Sequence, residues 1–289
     1  MASPAERIAL GRAVLIGAGI RERDAALDAE VLARHVLSWD RATLIARGRE
    51  PAPSGFASVF DALIARRALR EPVAQIVGQR EFWGLDFEVT ADVLIPRPET
   101  EFIVEEAIAF AREHRWRTAI DVGTGSGCIA VSIAQELPGV HLTATDCSDA
   151  ALAVARRNAA RHRVSDRISF ISTDLLNGVD GPVDLIVSNP PYVPEPHAQA
   201  LQADVVRFEP PAALFGGADG LAVIRRLLHD ARSRLAEHGR LIMEFGLGQD
   251  DEVSRLAEET GWTLVRMRKD LQEIPRTAVL RRGTRSPAL

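Results

Sequence analysis

The chain has 289 residues, of which 46% are hydrophobic and 26% are charged, and its formal net charge at pH 7 is −5. This length allows one large and one small domain, and the composition is that of a soluble globular protein. The negative net charge argues against an extended nucleic-acid-binding face. The only two cysteines, Cys128 and Cys147, cannot form a disulfide framework, and we expect both to be buried and reduced.

The first residues lack a basic segment followed by a continuous apolar core, so they do not resemble a signal peptide. No apolar run reaches the roughly 20 residues that a membrane-spanning helix requires. We therefore expect a cytoplasmic protein without membrane attachment. The sequence has no paired metal-ligand pattern, so no metal is expected either.

Four segments with different patterns succeed one another along the chain. Residues 1–71 contain only helical periodicity and predict a small all-α domain. Residues 72–96 predict a β-hairpin linker, with Val73–Val77 and 81–89 as short strands around Gly78. Residues 97–283 are predicted to form the main domain, and 284–289 are predicted to be a disordered tail.

The main domain alternates short apolar strands with helices. The strands are predicted at residues 118–122, 141–146, 167–172, 183–188 and 239–245, followed by a closing hairpin at 263–267 and 277–281. Helices are predicted near residues 127–136, 148–162, 220–237 and 249–260. Such alternation indicates an α/β fold: a doubly wound, mostly parallel, seven-stranded, Rossmann-like sheet with helices on both faces.

A glycine loop joins the first of these strands to its helix, in the order Gly123, Thr124, Gly125, Ser126, Gly127. Glycines allow positive φ and let the backbone approach a ligand, and such loops lie at the carboxyl edge of open α/β sheets. All five residues are therefore candidates for cofactor binding. The continuation to Ala130 also fits the dinucleotide pattern G-x-G-x-x-A, so a nicotinamide enzyme stays possible at this point.

Acidic residues end the next two strands. Asp146 follows the glycine loop at the distance where a carboxylate accepts both ribose hydroxyls of a nucleoside, although it could instead cap the helix that begins near Ser148. Asp174 is placed to accept from an adenine amino group while Leu175 packs on the ring. The alternative is that Asp174 is simply a turn residue.

The fourth strand is followed by Asn189, Pro190, Pro191 and Tyr192. The two prolines restrict φ and remove two N–H donors, so the Pro190 carbonyl and the Asn189 side-chain oxygen form a rigid pair of acceptors. Two acceptors suit a planar amide or amino nitrogen, whose N–H groups they would grip while Tyr192 covers the plane. This arrangement, next to a glycine loop, predicts methylation of an sp² nitrogen by S-adenosylmethionine through positioning, without a metal.

These motifs carry a family resemblance. Residues 121–127 with 189–192 resemble a class I S-adenosylmethionine-dependent methyltransferase that acts on amide or amino nitrogen. Residues 95–101 and 207–221 narrow the resemblance to the peptide chain release factor glutamine methyltransferases, and the similarity runs along essentially the whole chain. A relative that methylates a ribosomal-protein glutamine would share the fold and the Asn-Pro-Pro-Tyr motif.

The resemblance implies N5-methylation of the glutamine in the Gly-Gly-Gln loop of class 1 release factors, with S-adenosylhomocysteine as product. It implies that the glycine loop and Asp146 bind the cofactor, that Leu175 lies over the adenine, and that residues 189–192 hold the glutamine amide. Asn189, Pro190 and Tyr192 are thus the predicted catalytic residues, and Asn189 also borders the cofactor. We infer that Arg97, Glu99 and Glu209 shape the peptide entrance, whereas Glu244 either borders the cleft or is solvated.

Three alternatives stay open beside this interpretation. An adenine-N6 methyltransferase would use the same grip but needs base flipping and phosphate neutralisation, for which no basic face is evident. If the protein were a nicotinamide oxidoreductase, the Pro-Pro turn would have no role. If it were a non-catalytic binding module, it would need no pocket for the sulfonium group of S-adenosylmethionine. We expect a monomer that docks release factors through the helical domain and does not bind nucleic acid stably.

Overall fold

The computed structural model describes residues 2–283 and divides the chain into two compact units. One unit comprises the chain up to Gln79 together with Gln202–Phe208, and the other comprises the remainder. The predicted tail, 284–289, lies outside the described residues. No helix in the described part of the chain is both long and apolar enough to cross a membrane.

The described residues form twelve α-helices and nine strands, joined by turns and short 3₁₀ segments. The helices are α1 Pro4–Gly17, α2 Glu22–Leu37, α3 Arg41–Arg47, α4 Phe56–Ala68, α5 Val73–Val77, α6 Glu101–His114, α7 Cys128–Glu136, α8 Asp149–Arg161, α9 Ala203–Phe208, α10 Pro211–Leu214, α11 Ala222–Arg234 and α12 Asp250–Glu259. The strands are β1 Gln79–Phe82, β2 Leu85–Glu88, β3 Thr118–Val122, β4 His141–Asp146, β5 Ile168–Ser172, β6 Val183–Ser188, β7 Leu235–Glu244, β8 Trp262–Lys269 and β9 Pro275–Arg282.

The first unit is helical and holds its own apolar core. Leu15, Leu32 and Phe60, from α1, α2 and α4, are fully buried in it. Short α9 belongs to this unit, although it lies more than a hundred residues further along the chain. Arg67 holds it there, because the buried guanidinium bonds both Asp28 of α2, at 2.7 Å, and Asp204 of α9, at 3.0 Å.

The prediction of a strand at Val73–Val77 is wrong, because this segment is the helix α5. The carbonyl of Pro72 accepts from the backbone N–H groups of Gln75 and Ile76, which closes a helical turn. Burial of Ile76 in the helical core outweighs the strand preference of the valines. The hairpin lies wholly after this helix, with β1 and β2 joined by a turn at Trp83 and Gly84, whose φ angles are +55° and +69°.

The second unit is built on a seven-stranded sheet in the order β5-β4-β3-β6-β7-β9-β8, which confirms the predicted doubly wound fold. The strands from β5 to β7 are parallel, and β9 is antiparallel to both neighbours. The chain builds outward from β3 to β5 and then returns to place β6 on the other side of β3. This reversal is the switch point where open α/β sheets bind ligands.

Alternating side chains of the sheet enter two separate cores. Ala119 of β3 packs with helices α6 and α7 on one face, whereas Ile120 and Val122 pack with α11 and α12 on the other. Val122 pairs with Ser188 of β6, so Gly123 and Asn189 leave the carboxyl edge of the sheet from adjacent strands. The strand order therefore brings the glycine loop and the Asn-Pro-Pro-Tyr turn to the same edge.

Candidate functional site

The glycine loop has the backbone conformation that the sequence predicts for it. Gly123, Gly125 and Gly127 have φ angles of +71°, +54° and +80°, which side-chain-bearing residues rarely adopt. The backbone N–H of Thr124 donates to the carbonyl of Thr145 at the end of β4, at 2.8 Å. The loop is therefore tied to the neighbouring strand by a backbone hydrogen bond.

Asp121, in β3, forms hydrogen bonds with the glycine loop and with the first turn of α7. It is fully buried, and its Oδ2 accepts from the Thr124 hydroxyl at 2.6 Å and from the backbone N–H of Ala130 at 3.2 Å. Burial raises the pKa of this carboxyl to about 7, against the opposing effect of these two hydrogen bonds. Among the described residues Asp121 Oδ1 has no hydrogen-bond partner.

Asp146 bonds the backbone on both sides of the end of β4, and it is not the N-cap of α8. Its Oδ2 accepts from the backbone N–H of Gly125 at 2.9 Å, and its Oδ1 accepts from the backbone N–H of Ser148 at 2.9 Å. The N-cap of α8 is Ser148 itself, whose hydroxyl accepts from the backbone N–H of Ala151. Asp146 therefore links the glycine loop to the start of α8 while its carboxylate borders the cavity described next.

A cavity of about 290 Å³ lies over the carboxyl edge of the sheet, entirely within the second unit. Six chain segments and the helix α11 form its wall. The lining residues are Asp92, Val93, Leu94, Pro96, Arg97, Thr100, Gly123, Thr124, Gly125, Ser126, Cys128, Ile129, Asp146, Cys147, Ser148, Ala151, Thr173, Asp174, Leu175, Asn189, Pro191, Pro210, Ala212, Ala213, Val223 and Arg226.

Most of the predicted cofactor residues meet in this wall. Asp174 and Leu175 border one end, where Asp174 forms an exposed ion pair with Arg226 at 2.5 Å. Gly127 does not line the cavity. A Cβ at Gly127 would come within 3.1 Å of the Ala155 Cβ, so glycine here allows α7 and α8 to pack closely. Cys128 is buried as expected, whereas the expectation for Cys147 is wrong: it follows Asp146 at the cavity and is exposed.

The Asn-Pro-Pro-Tyr turn is only partly in the cavity wall. Asn189 and Pro191 line it, whereas Pro190 and Tyr192 do not. The Tyr192 hydroxyl donates to Glu244 Oε1 at 3.0 Å, and the Tyr192 carbonyl accepts from Gln249 at 3.0 Å. These bonds direct the tyrosine side chain into the protein rather than across the cavity.

Of the two environments predicted for Glu244, the solvated one is wrong, because the residue is buried at the end of β7. It is 1% exposed, and its Oε2 accepts from the Thr100 hydroxyl at 2.7 Å. Burial raises its pKa to about 7, while the bonds from Thr100 and Tyr192 act in the opposite direction. The Thr100 Oγ1 also lies 3.0 Å from Asn189 Nδ2. The sequence predicts no role for Thr100 beyond its place in the 95–101 segment, because its two partners lie 89 and 144 residues away along the chain.

Arg97 and Glu209, predicted near the peptide entrance, are bonded to each other. Glu209 is buried, and its carboxylate accepts from Arg97 at 2.5 Å and from the backbone N–H of Ile95 at 3.0 Å. Arg97 lines the cavity close in sequence to Thr100. The pair joins the segment before α6 to the segment before α10, so two separate stretches of chain form one side of the cavity.

The cavity fits an adenosine-bearing sulfonium cofactor. A Cβ at Gly123 or at Gly125 would meet no other atom within 4 Å, so the loop presents bare backbone to open space. The Asp146 carboxylate borders that space and offers acceptors for hydroxyl groups. An apolar stretch from Val93 to Pro96 closes part of the opposite wall.

Comparisons with known proteins agree with this geometry. Residues 106–207 match the family model of the methyltransferase small domain, and residues 7–78 match that of the PrmC N-terminal domain. Solved structures with the same fold include the hMettl16 catalytic domain in complex with a MAT2A 3′UTR hairpin, at a TM-score of 0.56 and 19% identity over 78% of this chain and 84% of that one. A methyltransferase from Pyrococcus furiosus gives a TM-score of 0.53 at 18% identity over 78% and 98% of the two chains.

Curated relatives match along nearly the whole chain. The release factor glutamine methyltransferase of Cereibacter sphaeroides is 44% identical over 93% of this chain and 94% of its own length. Its counterpart from Burkholderia pseudomallei is 42% identical over 88% and 90% of the two chains. The chain is thus an enzyme with a class I methyltransferase fold, a class that uses S-adenosylmethionine, and it belongs to the release factor glutamine methyltransferase family.

Proposed function

We propose that this protein transfers a methyl group from S-adenosylmethionine to the side-chain amide nitrogen (N5) of the glutamine in the Gly-Gly-Gln motif of class 1 peptide chain release factors. The observation that carries the proposal is the shared cavity of Asn189 and the glycine loop, in a chain whose relatives are named release factor glutamine methyltransferase. An acceptor for amide N–H groups thereby borders the space that a methyl donor would occupy.

The proposed cofactor site uses the backbone of residues 123–126, with the Asp146 carboxylate accepting from the ribose hydroxyls. Leu175 would lie over the adenine, and Asp174 would accept from its amino group. Because Asp174 already pairs with Arg226 on an exposed surface, its contribution to binding should be smaller than that of Asp146. Gly127 contributes indirectly, through the packing of α7 on α8.

The proposed chemistry is in-line methyl transfer controlled by positioning. When bound, S-adenosylmethionine supplies an activated methyl group, and S-adenosylhomocysteine is the product. The proposed acceptors of the two glutamine amide N–H hydrogens are Asn189 Oδ1, whose residue is in the cavity wall, and the Pro190 carbonyl, whose residue is not among the lining residues. The proton is lost to solvent after transfer, and no metal takes part. Since Tyr192 is bonded to Glu244, its proposed role is to hold the turn, and Pro191 supplies the flat wall.

Further parts of the proposal concern the partner and the cell compartment. The helical unit, predicted as residues 1–71, is proposed to dock the release factor, and the domain predicted as 97–283 is proposed to be catalytic. The predicted linker, 72–96, contributes α5 to the helical core and Val93 to the cavity wall. Exposed apolar side chains in the helical unit, among them Leu10 and Val14 of α1, support a docking role. The enzyme would act as a cytoplasmic monomer without stable binding to nucleic acid.

The direct test is methylation of unmodified release factors. Purified enzyme is incubated with labelled cofactor and with a class 1 release factor, or with the same factor carrying Gln→Ala in Gly-Gly-Gln. We expect a mass gain of one methylene on the glutamine of the intact motif and none on the variant. Transfer to ribosomal proteins alone, or to adenine in nucleic acid alone, would refute the proposed substrate.

A further inference from the structure

Asn189 is joined to two buried side chains that the proposed chemistry does not use. Its Nδ2 lies 3.0 Å from Thr100 Oγ1, and Thr100 Oγ1 lies 2.7 Å from Glu244 Oε2. Thr100 and Glu244 are 2% and 1% exposed, so water does not compete for these bonds. The three residues come from the carboxyl edge of β6, from the turn before α6 and from the end of β7.

The direction of each hydrogen bond follows from the number of hydrogens available. An ionised carboxylate only accepts, and a threonine hydroxyl has one hydrogen to donate. If Thr100 donates that hydrogen to Glu244, it can only accept from Asn189, and the atom of Asn189 facing it must be Nδ2. The other amide atom, Oδ1, is then left for the substrate. The other oxygen of the Glu244 carboxylate, Oε1, accepts from the Tyr192 hydroxyl, so each carboxylate oxygen has its own donor.

We propose that Glu244 and Thr100 are positioning residues that lock the side-chain amide of Asn189 with its oxygen toward the substrate. The inference rests on the proposed function, because it assumes that Asn189 must accept from an amide N–H. A flipped Asn189 would present its NH₂ group to the NH₂ group of the glutamine, and two donors repel. The folded protein therefore holds the Asn189 amide in the required orientation before the substrate binds.

Threonine variants separate the hydroxyl from the shape of the side chain. Thr100→Val keeps the volume of the side chain but loses the hydroxyl that links Glu244 to Asn189 by hydrogen bonds, a linkage that we call the relay. Thr100→Ser keeps the hydroxyl. We expect Thr100→Val to lower kcat on a release factor by about tenfold to a hundredfold, with KM for the factor changed far less. Thr100→Ser should recover most of that loss. Equal activity of the valine variant and the wild type, or equal loss in both variants, overturns the proposal.

The matched control is Thr277→Val. Thr277 is fully buried and pairs with Glu244 across β7 and β9, but its hydroxyl has no partner among the described residues. The same substitution there should leave kcat within about twofold, since it removes no hydrogen bond. A loss like that of Thr100→Val would assign the effect to packing near Glu244 instead of to the relay. Thermal unfolding of each variant establishes that it is folded.

Coupling to Asn189 gives a second, independent readout. If Thr100 acts through Asn189, adding Thr100→Val to Asn189→Ala should lower the remaining rate little further, whereas independent effects multiply. A full additional loss in the double variant contradicts the relay. If the wild-type enzyme itself does not methylate the factor, the proposed function fails. If it does and the threonine variants behave alike, only the relay fails.

The pH dependence of kcat gives a third readout. The relay needs an ionised Glu244, which faces Thr100, Tyr192, Glu99 and Arg276. Because burial raises its pKa to about 7, kcat of the wild type should rise between about pH 6 and about pH 8. Glu244→Gln has no charge to gain, so its lower kcat should vary less over this range. Parallel profiles of the two enzymes would count against the proposal.

Discussion

The carboxylate of Asp146 accepts the backbone N–H of Gly125 at 2.9 Å, and through its other oxygen it accepts the N–H of Ser148. One side chain at the end of β4 therefore shapes the glycine loop and borders the cavity at the same time. Mutation of this residue should affect cofactor binding in two ways, through the lost ribose acceptor and through a less ordered loop.

Asp146→Asn is the sharper variant because it keeps the shape and one acceptor oxygen. We expect the Kd for S-adenosylmethionine to rise about tenfold in Asp146→Asn and further in Asp146→Ala, since hydrogen bonds to a charged acceptor contribute about 1.5–3 kcal/mol. Isothermal titration calorimetry measures both values. Asp174→Asn is the matched control and should change Kd less, because Asp174 is paired with Arg226 at the surface. An unchanged Kd in Asp146→Ala would refute the ribose assignment.

Asn189→Ala should lose most of the methyl transfer activity while cofactor binding survives. The variant loses the acceptor that orients the glutamine amide, but it leaves the glycine loop and Asp146 intact. We expect a fall in kcat of at least about a hundredfold, by analogy with the loss of one group that positions a transition state. Single-turnover assays with a release factor measure the rate, and calorimetry measures the Kd. Near-normal turnover would show that the amide is not held by Asn189.

Gly123 and Gly127 form a matched pair for separating ligand contact from packing. Both have positive φ, so replacement by alanine imposes a similar backbone strain of about 1 kcal/mol in each. Only Gly127 would bring its new Cβ against Ala155, at 3.1 Å, whereas the Cβ of Gly123→Ala would stand in open cavity. We expect Gly127→Ala to unfold at the lower temperature and Gly123→Ala to show the larger rise in cofactor Kd. The reverse order would contradict these two roles.

The stability of the ligand-free protein should fall as the pH rises toward neutrality. Burial raises the pKa values of Asp121 and Glu244 to about 7 from 3.8 and 4.5. At pH values between the unfolded and the folded pKa, the folded protein keeps protons that the unfolded chain releases. The stabilisation from these protons is therefore complete below the unfolded pKa values and decreases as the pH rises to about 7. Thr124, Ala130 and Asp146 surround the first carboxyl, and Thr100, Tyr192, Glu99 and Arg276 surround the second.

Urea unfolding at about pH 5 and about pH 7 measures this loss. In Glu244→Gln the decrease in unfolding free energy between the two pH values should be smaller than in the wild type, by an amount on the order of 2–3 kcal/mol. Glu136→Gln is a control, because Glu136 is a partly exposed carboxylate in a surface ion pair with Arg112. Identical pH dependence in all three proteins would show that Glu244 keeps its ordinary pKa.

The helical unit should influence protein substrates more than peptides. Leu10 and Val14 lie one turn apart on α1 and are 57% and 52% exposed, so they share an unpartnered apolar face. Replacing both with glutamate should raise KM for a release factor while leaving methylation of a short Gly-Gly-Gln peptide unchanged. The peptide assay is the internal control. Equal effects on both substrates, or none on either, would contradict docking through this face of α1.

Much of the fold could be predicted because it follows from local patterns. Apolar runs of strand length, separated by helical periodicity, specify β3, β4 and β6 with their bounds, and three glycines after β3 specify a left-handed loop. The failure at Val73–Val77 has the opposite cause. Its valines favour a strand locally, and only the burial of Ile76 in the helical core makes it a helix.

The sequence by itself determined the fold class, the glycine loop and the position of Asn189 in the chain, because each depends on residues close together or on a motif. Only the tertiary structure decided that Gly127 packs on Ala155, that Tyr192 turns to Glu244, and that Thr100 meets Asn189. Thr100 and Glu244 are 144 residues apart, and no local pattern encodes a hydrogen bond over that separation. Such contacts exist only once the sheet order has brought the strand ends together.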